Sequence, residues 1–368
     1  MLDRLDLLAL KFKSRTGTPD GVLLTVGGGL GDAVMLAHVL PRFLSLRRPG
    51  ERATVAMRRD AAKMAFLFPK DVAVETVDYG RFLKSGSYRR KIMAQLHAAH
   101  YRVAVSVDYL RHPRIDDILI AAAAAPESAA MEPRSWPKHD RALQTNRKLY
   151  ARLFDSGPPL TDKIVRWARF AAWLTGVDAP PPVALFPIDV LPPPAATERS
   201  TVIMQPFSAV PEKQSPPGLW RKIIETLPSG TTAVVAGAPT DLERNPAFRA
   251  LLDLPNVVFD GSTFQGIVPL LRAARLVVSV DTAMMHLAVA VGAPTLCLAS
   301  AAYVGEIVPY APETTPANAH FVYHDMPCRS CLGDCRLPLE SGRYPCIARL
   351  DGDTVETAVR QLLGTLED

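Results

Sequence analysis

The chain has 368 residues, of which 48% are hydrophobic and 21% are charged. This composition is typical of globular proteins, and the length favours two domains over one. No apolar run reaches the ~20 residues of a membrane span, and the acidic N-terminal residues leave too short an apolar stretch for a secretory signal. The net charge of +5 is uneven, because residues 1–150 hold 25 Lys and Arg against 15 Asp and Glu. That excess favours an acidic partner: a phosphorylated substrate, an anionic membrane or nucleic acid.

The first half of the chain alternates between strand-like and helix-like segments. Its N-terminal amphipathic stretch either packs on its own domain or lies on a membrane surface. The predicted strands are 21–26, 53–57, 72–77 and 103–107, and the predicted helices are 32–46, 60–68, 115–125 and 162–175. Such alternation predicts a parallel sheet covered by helices.

Seven prolines between residues 180 and 194 predict a stiff linker. A second alternation follows, with predicted strands at 201–205, 232–236, 257–259, 276–280 and 295–299 and predicted helices at 219–227, after Thr240, at 263–274 and at 353–366. The predicted organisation is a Rossmann-like domain at 1–180, a linker at 181–198, a second Rossmann-like domain at 199–350 and a terminal helix at 351–368.

The most informative stretch, residues 276–294, is predicted to be a strand, a polar turn and a helix. Asp281 or Thr282 can cap that helix, leaving free backbone N–H groups just beyond the carboxyl end of the strand. Open α/β sheets bind anionic ligands at this place. The sequence therefore predicts a phosphate-binding site here.

A second strand-turn-helix near the N-terminus carries different chemistry, in Gly28, Gly29, Gly31 and Asp32. The glycine spacing does not match a dinucleotide fingerprint, and an aspartate at the helix start would repel a pyrophosphate. Both points argue against a nicotinamide oxidoreductase. The glycines instead allow another molecule to approach the backbone, and Asp32 suits a general base acting on a hydroxyl, or simply caps the helix.

Two more loops follow predicted strands of the second half. Ser208 and Lys213 come after the strand at 201–205, where they can meet phosphate. Asp241 and Glu243 come after the next strand, where they can bind ribose hydroxyls or serve as first-turn charges of a helix.

Together these motifs resemble the ADP-heptose:lipopolysaccharide heptosyltransferases, glycosyltransferase family nine. The resemblance rests on Gly31-Asp32, on Lys213 ahead of the helix that bears Trp220, and above all on Asp281-Thr282-Ala-Met-Met-His286-Leu-Ala with Gly292-Ala-Pro294. It implies the α/β GT-B fold, in which two doubly wound Rossmann-like domains face a cleft. The first would bind the acceptor, the second the nucleotide sugar, and the terminal helix would cross back to the first.

The resemblance also implies roles for particular residues. Asp32 would be the general base, and Lys213 would neutralise the departing diphosphate in an inverting transfer that uses no catalytic metal. The donor, ADP-heptose, would be held by a set of residues on the second domain: Ser208, Asp241, Glu243, Asp281, Thr282, Ala283 and His286. The loop of Gly28, Gly29 and Gly31 would face the acceptor, a hydroxyl of a lipopolysaccharide-type glycan.

Four of the five cysteines form the pattern Cys328-x-x-Cys331-x-x-x-Cys335, followed by Cys346. Four thiolates at this spacing suit a tetrahedral structural Zn or a rubredoxin-like Fe; two disulfides or four unliganded thiols are the alternatives. Similar clusters occur in relatives of the family, including protein-modifying heptosyltransferases that bind iron.

The glycolipid acceptor implied by the resemblance predicts a cytoplasmic protein in peripheral contact with the anionic inner face of the cell membrane. Several alternatives stay open: a protein acceptor of the autotransporter type, a nucleic-acid-binding protein with a zinc knuckle, and a non-catalytic scaffold. Nucleic acid is disfavoured, because the arginines around the cysteines are offset by Asp334 and Glu340.

Overall fold

Each half of the chain folds into a six-stranded parallel sheet. The computed structural model describes residues 2–364, so the last four residues of the predicted terminal segment lie outside the described part. Two compact units result, one of Met1–Pro159 with Ile164–Pro181 and one of Leu160–Lys163 with the chain from Pro182 onward.

The first unit has the sheet order β3-β2-β1-β4-β5-β6, which is the doubly wound order. Its strands are β1 (Val22–Val26), β2 (Ala53–Arg58), β3 (Val72–Val77), β4 (Val103–Ser106), β5 (Glu127–Met131) and β6 (Arg152–Phe154). Its helices are α1 (Leu2–Lys11), α2 (Leu30–Leu44), α3 (Tyr79–Lys84), α4 (Gly86–Ala98), α5 (Asp116–Ala123), α6 (Asp140–Asn146) and α7 (Lys163–Thr175).

The second unit repeats this arrangement with the order β12-β11-β10-β7-β8-β9. Its strands are β7 (Thr201–Gln205), β8 (Thr232–Ala236), β9 (Val257–Asp260), β10 (Leu276–Val280), β11 (Thr295–Leu298) and β12 (Ala319–Val322). Its helices are α8 (Pro217–Glu225), α9 (Pro239–Arg244), α10 (Phe264–Ala273), α11 (Ala283–Ala290), α12 (Pro345–Ala348) and α13 (Gly352–Gly364). Two doubly wound sheets confirm the predicted fold class.

Strand burial follows from composition. The central strands β1 and β10 are short, largely β-branched and aliphatic, and every residue of both is buried, as expected between two helical layers. The aromatic face of α7 lies in the core, as the sequence predicted: Trp167 is fully buried and its indole N–H donates to the carbonyl oxygen of Val107 at 2.7 Å.

The Pro-rich segment is bonded to the second unit, because the N–H groups of Ala184, Phe186 and Ala195 all donate to carbonyls there. The terminal helix α13 buries its apolar face on α8 within the second unit. One local prediction needs correction: the predicted helix at 60–68 is a 3-10 helix over Ala61–Leu67.

The N-terminal helix α1 packs on its own unit. Leu10 joins the core there, and Asp6 forms an ion pair with Arg89 at 3.1 Å. Leu8 and Phe12 stay exposed. Within residues 2–364, no helix is both long and apolar enough to cross a bilayer.

Candidate functional site

In the second sheet the strand order reverses between β7 and β10, which are hydrogen-bonded parallel neighbours. Ligands of open α/β sheets bind outside the carboxyl ends of two such strands. Gln205 is the last residue of β7, and it connects the loop after β7 to the turn after β10. Its amide oxygen accepts hydrogen bonds from Ser279 Oγ at 3.1 Å and from Thr282 Oγ1 at 2.9 Å. Its amide nitrogen donates to the carbonyl of Phe207. Gln205 therefore fixes the turn that follows β10.

Lys213 and Asp281 form an ion pair at this edge, with Lys213 Nζ 2.8 Å from Asp281 Oδ2 and 3.2 Å from the Asp281 carbonyl oxygen. Only 14% of the lysine side chain and 6% of the aspartate side chain are exposed. Burial lowers the pKa of Lys213, but the charge of Asp281 and its hydrogen bond, with Tyr303 and Cys297, together outweigh burial and raise the pKa. The ring of Tyr303 lies against the ammonium, with its centroid 4.9 Å from Nζ. Lys213 is therefore a fixed positive charge whose counter-ion is Asp281.

Helix α11 begins directly after this ion pair. Thr282 is its N-cap residue, but the predicted side-chain cap is absent, since the Thr282 hydroxyl donates to Gln205 instead. Ala283 is the first helical residue, so its backbone N–H lies at the positive end of the helix, where anions bind. His286 is 4% exposed, and its Nδ1 lies 2.6 Å from the Tyr310 hydroxyl, so its side chain is part of the buried core.

Ser208 and Asp241, two of the other predicted donor residues, have local partners. Ser208 Oγ accepts a hydrogen bond from the N–H of Val210 at 3.1 Å. Asp241 Oδ2 accepts one from the N–H of Ala238 at 2.8 Å and so closes the start of α9, while Glu243 is exposed on that helix. Both loops follow neighbouring strands, β7 and β8. A ribose contact by Asp241 or Glu243 stays a prediction.

The glycine loop of the first unit follows β1. The strand order of that sheet reverses between β1 and its neighbour β4. Helix α2 begins two residues earlier than predicted. Gly29 is its N-cap, and Asp32 Oδ2 accepts a hydrogen bond from the Gly29 N–H at 2.6 Å. Gly31 therefore lies in the helix and not in the loop. A Cβ on Gly28 would stand 2.4 Å from Asp32 Cβ, so this position needs glycine. The cap role of Asp32 is thus present in the structure beside its predicted role as a base.

Two buried carboxyls that the sequence did not single out support this loop. Asp108 accepts a hydrogen bond from the N–H of Gly27. Asp116 accepts from the Tyr79 hydroxyl at 2.7 Å and from the N–H of His112 at 2.6 Å. Burial, with the nearby charge of Asp108, raises the pKa of Asp116 to about 7. The glycine loop therefore lies against a buried carboxyl whose pKa is raised.

The four clustered cysteines are free thiols that line one small cavity, together with Met326, Leu337 and Tyr344. Burial, reinforced by the three other thiols, raises the pKa of Cys346. In the described part of the chain no three His, Cys, Asp or Glu side chains stand in the arrangement of a metal site. The donor set suits Zn or Fe, but the sulfurs have not closed into a coordination sphere.

Comparisons with solved structures match almost the whole chain. E. coli ADP-heptose lipopolysaccharide heptosyltransferase II is 16% identical, with a TM-score of 0.63 over 95% of this chain and 100% of that one. E. coli heptosyltransferase WaaC with ADP is 18% identical, with a TM-score of 0.66 over 95% and 100%. Iron-containing dodecameric glycosyltransferase TibC, from enterotoxigenic E. coli, is 16% identical, with a TM-score of 0.54 over 95% and 78%. These likenesses establish the fold.

No curated protein sequence matches the chain. The family profile described as glycosyltransferase family 9 (heptosyltransferase) matches residues 122–332, more than half of the chain. That stretch contains Lys213, Asp281 and the start of α11, the groups that the geometry brings together. The chain is therefore a member of glycosyltransferase family 9, and it is a glycosyltransferase of the heptosyltransferase type.

Proposed function

We propose that the donor is a nucleoside diphosphate heptose, ADP-heptose, and that its diphosphate binds at Lys213 and the N-terminus of α11. The observation that carries this proposal is the buried Lys213–Asp281 pair beside backbone N–H groups that Thr282 leaves uncapped. A diphosphate needs cations and N–H donors, and both are present here. A solved relative holds ADP-2-deoxy-2-fluoro heptose, which agrees with this donor class.

In the proposed reaction, Asp32 accepts the proton of an acceptor hydroxyl while the hydroxyl oxygen attacks the anomeric carbon and the bond to the diphosphate breaks, with inversion. Lys213 and the α11 N–H groups stabilise the charge that develops on the leaving diphosphate. Such groups act through their fixed position, and the removal of one typically slows turnover about 10²–10³-fold.

The proposed acceptor is a hydroxyl of an anionic, lipopolysaccharide-type glycan. The positive excess in residues 1–150 supports it, since phosphorylated glycolipids attract such a surface. A lipid-linked acceptor requires peripheral contact with the cytoplasmic face of the membrane. A protein acceptor is the alternative, and parallel assays with glycolipid and protein acceptors separate the two.

We also propose that Cys328, Cys331, Cys335 and Cys346 hold a structural Zn or Fe. The common cavity and the thiolate donor set support this. A bound metal would crosslink the segment and supply no step of the transfer. Elemental analysis of the purified protein, with a variant that has serine at all four positions, tests it: one metal per chain, lost in the variant, is expected.

The donor assignment is tested by thermal shift and calorimetry with ADP-heptose, UDP-glucose, GDP-mannose and ADP alone. Wild-type protein should be stabilised selectively by ADP-heptose and ADP. Lys213→Met should lose most of this response, measured against the melting temperature of the ligand-free variant, which should fall because Asp281 is left unpaired. Asp334→Asn, at an exposed acid, is the matched control. Stabilisation by another nucleotide sugar would correct the donor, and no response to any nucleotide sugar would refute the site.

A further inference from the structure

The segment that carries the four cysteines, residues 326–346, is bonded to the chain on both sides of Lys213. The N–H of Tyr344 donates to the carbonyl of Glu212 at 3.1 Å, and Arg343 Nε donates to the carbonyl of Gln214 at 2.9 Å. These carbonyls belong to the residues immediately before and after Lys213. The cysteine segment therefore holds the backbone from which the lysine projects.

The same segment also holds the ring against which Lys213 lies. The N–H groups of Ser330 and Leu332 donate to the carbonyls of Ala301 and Ala302, each at 2.8 Å, next to Tyr303. Gly333 approaches the Tyr303 hydroxyl so closely that a Cβ would stand 2.7 Å from it, and its φ is +86°. The backbone and the aromatic partner of Lys213 thus depend on one cysteine-bearing segment.

We propose that the cysteine segment is a positioning element for Lys213, and that Arg343 is the positioning residue that connects this segment to diphosphate binding. This inference rests on the proposed function of Lys213. It gives the cysteines a role in the donor site, although none of them needs to touch the donor.

The local structure explains why Lys213 needs such support. It ends a three-residue 3-10 turn, Pro211–Lys213, and a lysine has a flexible stem that many rotamers can occupy. Fixing its backbone on both sides and packing its ammonium on a ring remove much of that freedom before the ligand arrives. A site prepared in this way loses less conformational entropy on binding.

The inference is tested by a double-mutant cycle read by calorimetry with ADP. Arg343→Met should weaken ADP binding about fivefold, the effect of about one hydrogen bond. In a Lys213→Met background the same substitution should change ADP affinity by less than about twofold, because Arg343 acts through Lys213. Arg343→Lys, which keeps a donor, should recover part of the affinity, and Arg336→Met, at an exposed arginine of the same segment, should leave it unchanged.

The reciprocal measurement uses the thiols. By linkage, if the contacts of the cysteine segment favour ADP binding, bound ADP must stabilise those contacts by the same factor. Saturating ADP should slow iodoacetamide modification of the cysteines about fivefold in wild-type protein and have no such effect in Lys213→Met. Mass spectrometry identifies the modified positions.

The outcomes separate this inference from the proposed function. If wild-type protein binds no ADP, both are overturned. If wild-type protein binds ADP, then equal affinity of Arg343→Met, an additive cycle or thiol rates that ignore ADP overturns the positioning role alone.

Discussion

Substitution of Asp32 by asparagine separates its contact at the start of α2 from its proposed role as a base. The Asp32 carboxylate accepts the N–H of Gly29 at 2.6 Å. The amide oxygen of asparagine can accept the same bond, so the start of α2 should survive, and the loss of stability should stay below about 1 kcal/mol. An amide cannot accept the proton of an attacking hydroxyl. The expected loss of turnover is therefore that of a general base, about 10²–10⁴-fold.

These magnitudes make the two roles distinguishable. The rate loss corresponds to about 3–5 kcal/mol of barrier, far beyond anything that loss of the cap would produce in a folded protein. Asp32→Ala should add a cap loss of about 1 kcal/mol to the same rate loss. Asp78→Asn is the matched control, because Asp78 caps α3 through the N–H of Arg81 at 2.9 Å.

The assay combines thermal unfolding with single-turnover transfer from ADP-heptose at saturating donor. Asp32→Asn should melt within a few degrees of wild type, bind ADP normally and transfer poorly, while Asp78→Asn should transfer normally. A turnover of Asp32→Asn within about fivefold of wild type, in protein that melts normally, would refute the base and leave Asp32 as a cap only.

Three further predictions concern the supporting structure. Gly28→Ala should displace Asp32, because the new Cβ would stand 2.4 Å from Asp32 Cβ. We expect transfer to fall at least tenfold (about 1.4 kcal/mol) with ADP affinity unchanged. A turnover equal to that of wild type would contradict this. The pKa of Asp116 is about 7 against an ordinary 3.8, so the folded state holds a proton that the unfolded chain releases, and this carboxyl lowers stability as pH rises from about 4 to 7. The melting temperature of wild type relative to Asp116→Asn should therefore decline over that range, with Asp108 and Tyr79 as the titratable neighbours, and parallel curves would show that Asp116 titrates normally. Cys331→Ser should lower metal content and melting temperature together, and a metal-loaded protein of unchanged stability would refute the structural role.

The sequence predicted those elements whose burial is visible in composition. Strands such as β1 and β10 are apolar at every position but one, and the turns that follow them carry the polar residues that the structure places at the sheet edge. The missed elements lack that signal. Helices α3 and α4 are rich in Arg and Lys and are interrupted near Gly86, and the Ala-rich strand β5 gives no strand pattern.

The site was predicted as a set of loops and not as a set of contacts. Lys213 and Asp281 could be assigned to one sheet edge because each follows a strand, but their direct pairing joins positions that are 68 residues apart. Gln205 and Asp116 were missed for the same reason. Each acts on a distant turn, and no local spacing marks a residue whose partner lies on another strand.

The Lys213–Asp281 pair would influence which anions bind at the proposed donor site. In the empty site the lysine already has a carboxylate partner, so an incoming anion competes with a tethered one of high effective concentration. A singly charged ion offers no advantage over Asp281, and drawing the lysine away would leave a buried carboxylate unpaired, which is strongly unfavourable. A diphosphate can engage Lys213 and the α11 N–H groups together while the aspartate keeps its hold on the ammonium. At the proposed donor site the ion pair would therefore favour ligands with several negative oxygens over chloride and other singly charged ions.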